Sequence, residues 1–475
     1  MNNRGKKLFS DVTMFAISNF GSKVLVFLLV PLYTNTLSTA EYGIADLFSI
    51  SINLLLPLLT LSITEATIRF MLDEESDKGK VLGTSLLIIG ISFAILFFLR
   101  NIIVLQFPVL KPYYWMFLLT YIMNALNSCF SNFVRGLDYT RVFAIKGIIY
   151  TVSVIFCNIV FLLVLKIGLW GYLLSVVLAE LITIMYMLFA GNILKYFKEL
   201  HIEKRITVDM IRYSIPMMPT IIAWWIMQMS DKYIIIAVSG LAVSGIYSIA
   251  YKIPSILSIV STIFNQAWQI SAIKSRNDDD YSLFFKNVYN IFLILSGIAC
   301  GILVMGAKFL GGILFAKDYY VAWKYVPFLL IAYFFSGLSG VMASAFTSNK
   351  KTSILFYSTL AGAIVNIGLN ILLIPKYGAI AAAITTMIGF IVNCLIRDIC
   401  MKRYFNMRMN GIKEFVVFFL LLVEAILFTI ELYVGVVVFI ILILALILLY
   451  YREIMGIINM FRKILRKLTG RVSNN

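Results

Sequence analysis

Three lysines, Lys23, Lys232 and Lys252, stand within or at the ends of long apolar stretches of the chain. A charge near the centre of a bilayer costs about 3 kcal/mol on insertion scales, so it is placed where it faces a polar cavity and has a task there. Embedded cations with few acidic neighbours suit an anionic substrate. Lys23, in Asn19-Phe-Gly-Ser-Lys23-Val-Leu-Val, is about 11 residues inside its segment, roughly 16 Å deep at 1.5 Å per residue, which is far for an ammonium to reach back to the interface. Lys252 precedes Pro254, and the proline frees a backbone carbonyl that polar surroundings can satisfy. Asp231 and Lys232 are adjacent in the outer part of their segment. Neighbours in sequence do not face each other on a helix, so each needs its own partner. Lys232 reads equally as a cavity cation or as an interfacial charge.

The embedded acids come next. Asp46, Glu65 and Glu180 fall in the first half, Asp231 beside Lys232, and Glu424 and Glu431 near the C-terminal end. An embedded carboxylate can carry a proton or a sodium ion, which makes Asp46, Glu65, Glu180 and Asp231 the ion-coupling candidates. Glu431 falls in an outer turn and needs no special account. Arg69 and Arg135 end two segments on one side; they either form the mouth of a substrate cavity or only follow the topology rule.

Hydrolytic, phosphoryl-transfer and metal chemistry find no footing. There is no GxSxG, no GxxxxGK[ST] and no HExxH. His201 is the single histidine, in a charged loop, and Cys129, Cys157, Cys300, Cys394 and Cys400 sit in apolar segments without a CxxC. Neither a zinc site nor a disulfide framework is expected. The run Asp278-Asp279-Asp280 lacks the further carboxylates and the glycine of a calcium loop. The expectation is a protein that is not an enzyme and carries no cofactor or metal, with transport driven by an ion gradient or by the substrate's own gradient.

The elements that must position these residues are membrane helices. Of 475 residues, 61% are hydrophobic and 13% charged, against about 25% charged in soluble domains. The fold class is therefore an all-α polytopic membrane protein. The net charge of +17 does not signal nucleic acid, because no basic and aromatic face exists outside the apolar segments. A spanning helix needs about 20 apolar residues, and such stretches run over 12–34, 42–68, 81–106, 113–134, 142–165, 169–194, 211–239, 241–272, 283–307, 324–347, 353–374, 378–401, 413–430 and 432–451. The first is too long for the apolar core of a signal peptide and is read as a retained helix. About 14 transmembrane helices put both termini on one side. That side holds thirty lysines and arginines and the other side seven, which predicts cytoplasmic termini. Tyr113-Tyr114-Trp115, Tyr319-Tyr320 and Trp323 read as an interfacial belt on the opposite side.

The chain also repeats. Arg141, Lys166 and Gly168 are each matched 210 residues later, by Lys351, Lys376 and Gly378, and Glu41-Tyr42-Gly43 is matched more weakly by Ser244-Gly245 and the residues after it. Both copies start on the same side, so the repeat is parallel. It predicts a six-helix lobe over 1–200, a second over 201–405, and two extra helices with a basic tail over 406–475. The polar loop Lys195 to Arg212 reads as an amphipathic linker, and Pro216 and Pro219 fall in the first turns of the following helix.

Two motifs carry a family resemblance. Pro31-Leu-Tyr-Thr-Asn-Thr-Leu-Ser-Thr-Ala-Glu41-Tyr42-Gly43 resembles the first-loop pattern of the polysaccharide-transporter family, the Wzx-type O-antigen and capsule flippases. Asp231-Lys232-Tyr-Ile-Ile-Ile, with Gly245-Ile-Tyr-Ser-Ile-Ala250-Tyr-Lys252, resembles the start of that family's second lobe. The resemblance covers essentially the whole chain. It implies the fold of the multidrug/oligosaccharidyl-lipid/polysaccharide exporters, two six-helix bundles forming a V. It also implies a flippase moving an undecaprenyl-pyrophosphate-linked oligosaccharide across the bacterial inner membrane. Lys23, Lys232, Lys252, Arg69 and Arg135 would then meet the substrate, and a polysaccharide polymerase and a chain-length regulator would be partners alongside membrane lipids. Two other classes remain open. An ion-coupled drug/cation antiporter of the same fold would carry embedded carboxylates in excess, and a membrane polysaccharide polymerase or ligase would carry large outer loops with arginine or histidine.

Overall fold

The computed structural model describes residues 27–73, 76–275, 280–349, 351–407, 411–432 and 434–451, with 453 and 455. Among these residues every regular element is a helix. The main ones are α1 Val30–Thr36, α2 Thr39–Leu59, α3 Ile63–Met71, α4 Lys78–Phe98, α5 Arg100–Gln106, α6 Tyr114–Gly136, α7 Thr140–Asn158, α8 Gly168–Ala190 and α9 Lys204–Ser214. They continue as α10 Met218–Ala250, α11 Lys252–Lys274, α12 Tyr281–Met305, α13 Ala307–Leu314, α14 Val326–Ser348, α15 Ser353–Tyr377, α16 Ala379–Phe405, α17 Ile412–Thr429 and α18 Gly435–Leu449.

Nine helices among the described residues are long and apolar enough to cross a membrane; the expected fourteen are not reached by that measure. The first expected stretch, 12–34, and with it Lys23, lies largely or wholly outside the described residues. Others are broken or merged. The stretch 42–68 is divided by a turn after α2, where Pro57 sits inside the last helical turn and Leu61 and Ser62 take left-handed φ of 52° and 54°. A proline that cannot donate its N–H weakens the helix at that point. The stretch 211–239 runs together with its neighbours into one apolar helical run, Lys204–Ala250.

Local sequence explains several junctions. Ser38 caps α2 in a complete capping box with Glu41, each side chain bonding the other's backbone N–H. Gly240 interrupts α10 with φ 86° and ψ 174°, a conformation open to glycine and closed to residues with a Cβ. Gly168 and Gly378, which the sequence repeat aligns, take φ of 55° and 66° at the starts of α8 and α16.

The chain divides into two compact units. Unit 1 runs to Ser248 and includes Leu314–Tyr319; unit 2 comprises Ile249–Ile313 and the chain from Tyr320 onward. In unit 1, α6 packs on α3, α4 and α8, α8 packs on α7, and the linker helix α9 lies against α3 and α4. Thr84 and Thr207 share a hydrogen bond of 3.1 Å there, and Lys80 meets Glu203 at 2.9 Å. Apolar clusters around Phe133 and Met187, and around Phe48 and Phe117, fill the unit. In unit 2, α14 is the central helix, flanked by α11, α12, α16 and α17, and α15 pairs with α16.

Candidate functional site

The two motifs singled out in the sequence are bonded to each other inside unit 1. The first supplies the start of α2. Glu41 Oε2 accepts from Ser38 N and Ser38 Oγ, both at 2.9 Å, and this cap fixes where Tyr42, Gly43 and Asp46 point. The second supplies α10 on either side of its break. A Cβ on Gly43 would stand 2.2 Å from Leu241 O, and one on Gly245 would stand 2.0 Å from Thr39 O. Glycine at both positions lets the backbones touch, and a larger residue would overpack the contact.

That contact brings the charges together. Lys232 Nζ lies 3.0 Å from Asp46 Oδ2 and 3.1 Å from Oδ1, a bidentate ion pair whose side chains are 7% and 16% exposed. Ser248 donates to Asp46 Oδ2 at 2.7 Å. Asp231 is turned elsewhere: its Oδ2 accepts from Tyr247 OH at 2.7 Å, and its Oδ1 accepts from Lys232 N at 2.9 Å. Adjacent residues on a helix need separate partners, and here they have them. Tyr233 OH and Ser51 Oγ are 2.5 Å apart, and Trp225 Nε1 donates to Ile50 O at 2.9 Å. The α10 residues Trp225, Lys232 and Tyr233 thus all bond to α2. Paired charges at this depth are strong because water screens them little, and removing one member leaves the other uncompensated.

Beside this cluster the segment Leu314–Tyr319 docks on the α1–α2 corner. Thr34 Oγ1 donates to Leu314 O at 3.0 Å and accepts from Ala316 N at 3.2 Å. Lys317 Nζ donates to Asn35 O at 2.8 Å, and Tyr319 OH lies 3.2 Å and 2.8 Å from Leu37 O and Ser38 O. Burial pushes the Tyr319 phenol well up from its ordinary range. Tyr42 sits in a ring cluster with Tyr33, Tyr172 and Tyr319.

In unit 1, Glu65, Arg69, Arg135 and Glu180 are not gathered at this cluster. Glu65 is half-buried in the first turn of α3, and Arg69, four residues on, is exposed. Arg135 is exposed at the end of α6, where it lies over the Phe143 ring at 5.2 Å and donates to Asn132 Oδ1 at 3.4 Å. Glu180 on α8 is buried; its Oε1 accepts from Asn124 Nδ2 at 3.4 Å, and it lies in electrostatic range of Lys146. Lys252 opens α11 in unit 2, where its ammonium has no hydrogen bond or ion pair among the described residues. No group of three His, Cys, Asp or Glu among the described residues is placed to hold a metal.

Sequence reading missed Tyr247, Ser248, Tyr233 and Ser51, whose roles follow only from contacts between distant segments. It also counted Lys146 and Arg397 simply among the thirty basic residues on the side of the termini. Arg397 is instead buried in α16, its Nε donating to Ser358 Oγ at 3.0 Å, Nη1 to Ser339 O at 2.8 Å and Nη2 to Thr359 Oγ1 at 3.2 Å.

Comparison with known proteins matches this picture. The fold is similar to that of a lipid II flippase in an inward closed conformation, with a TM-score of 0.71 at 14% identity, covering 93% of this chain and all (100%) of that one. It is similar to an inward-facing multidrug resistance MATE family transporter of the MOP superfamily, with a TM-score of 0.65 at 12% identity over 82% of this chain and 98% of that one. An uncharacterized membrane protein of Methanocaldococcus jannaschii is 25% identical over 406 residues, 80% of this chain and 94% of its own. The sequence pattern of the family described as polysaccharide biosynthesis protein matches residues 8–269, more than half of the chain and the whole span in which the Asp46–Lys232 cluster lies. The chain is a multi-pass membrane protein that belongs to the polysaccharide biosynthesis protein family.

Proposed function

We propose that the protein is a flippase that carries an undecaprenyl-pyrophosphate-linked oligosaccharide across the bacterial inner membrane, supplying units for O-antigen or capsule synthesis. Its two pseudo-repeated lobes, 1–200 and 201–405, alternate access to a central path, with residues 406–475 as an appendage and both termini in the cytoplasm. A polysaccharide polymerase and a chain-length regulator act beside it.

The observation that carries this reading is the Lys232–Asp46 pair. A lysine held deep in unit 1 by the Asp46 carboxylate can exchange that partner for a phosphate oxygen, a strong acceptor for an ammonium point charge. The exchange is reversible in the other direction when Asp46 takes up a proton or a sodium ion. A ligand shifts a two-state equilibrium only by its difference in affinity for the two states, and competition between Asp46 and the pyrophosphate for one ammonium supplies such a difference. Lys23 and Lys252 add positive charge along the path, with Arg69 and Arg135 at its cytoplasmic mouth. Glu65, Glu180 and Asp231 are further coupling carboxylates. Likeness to a lipid II flippase supports a lipid-linked cargo.

The test is transport of a fluorescent lipid-linked saccharide in reconstituted vesicles. Lys232→Gln is expected to reduce transport at least tenfold, Lys232→Arg to retain part of it, and Asp46→Asn to remove its dependence on the ion gradient. Full transport by Lys232→Gln overturns the reading. One observation favours a second reading, an ion-coupled drug/cation antiporter: the likeness to MATE transporters, together with the buried carboxylates Asp231 and Glu180. Export of cationic dyes by the same vesicles, with no movement of the lipid-linked saccharide, would decide for it.

A further inference from the structure

Glu424 lies on the buried face of α17 with Val417, Leu421 and Ala425, an acid in an otherwise apolar stripe. Its residue is fully buried, and both carboxyl oxygens are without a hydrogen-bond partner among the described residues. The helices packed on α17 are α12, α14 and α18. Neither α14 nor α18 contains a charged residue. The single charged residue of α12 is Lys286, about 21 Å along the helix from Cys300 at 1.5 Å per residue. The Cys300 thiol of α12 is in electrostatic range of Glu424; the other titratable side chains of the packed helices among the described residues are Tyr281 and Tyr289 on α12 and Tyr333 on α14. On α17 itself, Lys413 and Glu414 stand about 15 Å away at the other end of the helix.

An ionised carboxylate in such surroundings has neither counter-charge nor donor among the described residues, and isolated buried ions neutralise in preference to remaining charged. A hard metal cation does not solve the problem, because it gathers several oxygen ligands, and no group of three His, Cys, Asp or Glu among the described residues is placed to supply them. A proton needs one. We propose that Glu424 is a proton-binding site of unit 2, a neutral carboxylic acid that releases its proton when α17 moves away from α12 and α18. The site lies outside the Asp46–Lys232 cluster and assigns a chemical task to the C-terminal helix pair: it ties the position of α17 to proton release, and it makes the proton the coupling ion for transport.

The first test does not depend on the cargo. The infrared difference spectrum of the wild-type protein minus Glu424→Gln, in lipid nanodiscs at about pH 7, is expected to show the C=O stretch of a protonated acid with weak hydrogen bonding. Carboxylate bands in its place would overturn the proposal. Glu424→Gln, a neutral isostere of the acid, is expected to leave the thermal midpoint unchanged. Should that chain fail to fold, labelling of the wild type with dicyclohexylcarbodiimide decides: an adduct on Glu424 that fades as pH rises supports the proposal, and no adduct at any pH overturns it. In vesicles, Glu424→Gln is expected to abolish acceleration of transport by an imposed pH gradient while basal transport persists; acceleration equal to that of wild type excludes the proton as coupling ion at this site. The infrared result stands whether or not a lipid-linked saccharide is moved, so the two readings fail separately.

Discussion

In unit 1 the Lys232 ammonium meets the Asp46 carboxylate, whereas in unit 2 the Arg397 guanidinium is surrounded by a carbonyl and two hydroxyls, with no carboxylate paired to it among the described residues. Both cations are buried, and they are held by different physics. An ion pair has two natural competitors, a proton for the acid and another anion for the base, so it can exist in two states. A guanidinium whose fork of donors is filled by neutral dipoles has no such alternative, because there is no acid partner for a proton to neutralise. The first arrangement suits a moving part and the second suits a joint: Arg397 bonds α14 and α15 from its position on α16. Charge alone therefore does not mark function in a membrane protein. The partner does.

The comparison breaks first at the ion pair. Asp46→Ala and Lys232→Ala should each cost about 3 kcal/mol in denaturant unfolding, since each leaves a buried charge alone. The double variant should cost less than the two together, by a coupling energy of about 2 kcal/mol. Additive losses would mean that the two side chains do not feel each other. Arg397 gives the next effect. Arg397→Lys should cost about 2 kcal/mol, because one ammonium cannot reach three acceptors arranged for a guanidinium. Arg397→Met should cost about 1 kcal/mol or less, since Ser358 Oγ already has a local acceptor in Leu355 O and an apolar side chain carries no charge to satisfy. The opposite order would place an unseen anion at Arg397. The smallest effect is expected at the exposed pair Lys308–Glu431, 2.5 Å apart. The Lys308 hydrogen bond holds the Glu431 carboxyl below its ordinary range. Its contribution is present above that ordinary range and is lost as pH falls through the lowered value. Glu431→Gln should accordingly leave the thermal midpoint unchanged within error near neutral pH in ordinary salt, where screening weakens exposed pairs.

How much of this was legible in the sequence depends on whether the feature is local. The boundary between the stretches 211–239 and 241–272 was visible in the sequence, and Gly240, where the helix breaks, falls between them. Gly168 and Gly378 were visible as a repeat, and both take the left-handed backbone that glycine permits. The turn at Leu61 and Ser62 was not, since neither residue type announces left-handed geometry. Separate partners for Asp231 and Lys232 followed from helix geometry, but their identities did not. Tyr247 and Ser248 reach Asp231 and Asp46 only after the chain has folded back across α2. Lys146 and Arg397 were counted only with the basic residues of one side, because sequence measures distance to a segment's end and is blind to the face on which a residue lies. Glu424 was noticed as an embedded acid, and its isolation became visible only with the helices packed on it.

The pairing of Asp46 with a lysine 186 residues downstream also has a consequence in time. At synthesis rates of about 5–20 residues per second, Asp46 enters the membrane roughly 10 to 40 seconds before Lys232 leaves the ribosome. During that interval the nascent α2 holds an acid without its base. Insertion must then proceed with Asp46 still near the lipid headgroups, and α2 settles at its final depth only when α10 arrives. Assembly of the membrane-embedded pair is thus a late event in the biogenesis of this protein, however early its first half is made.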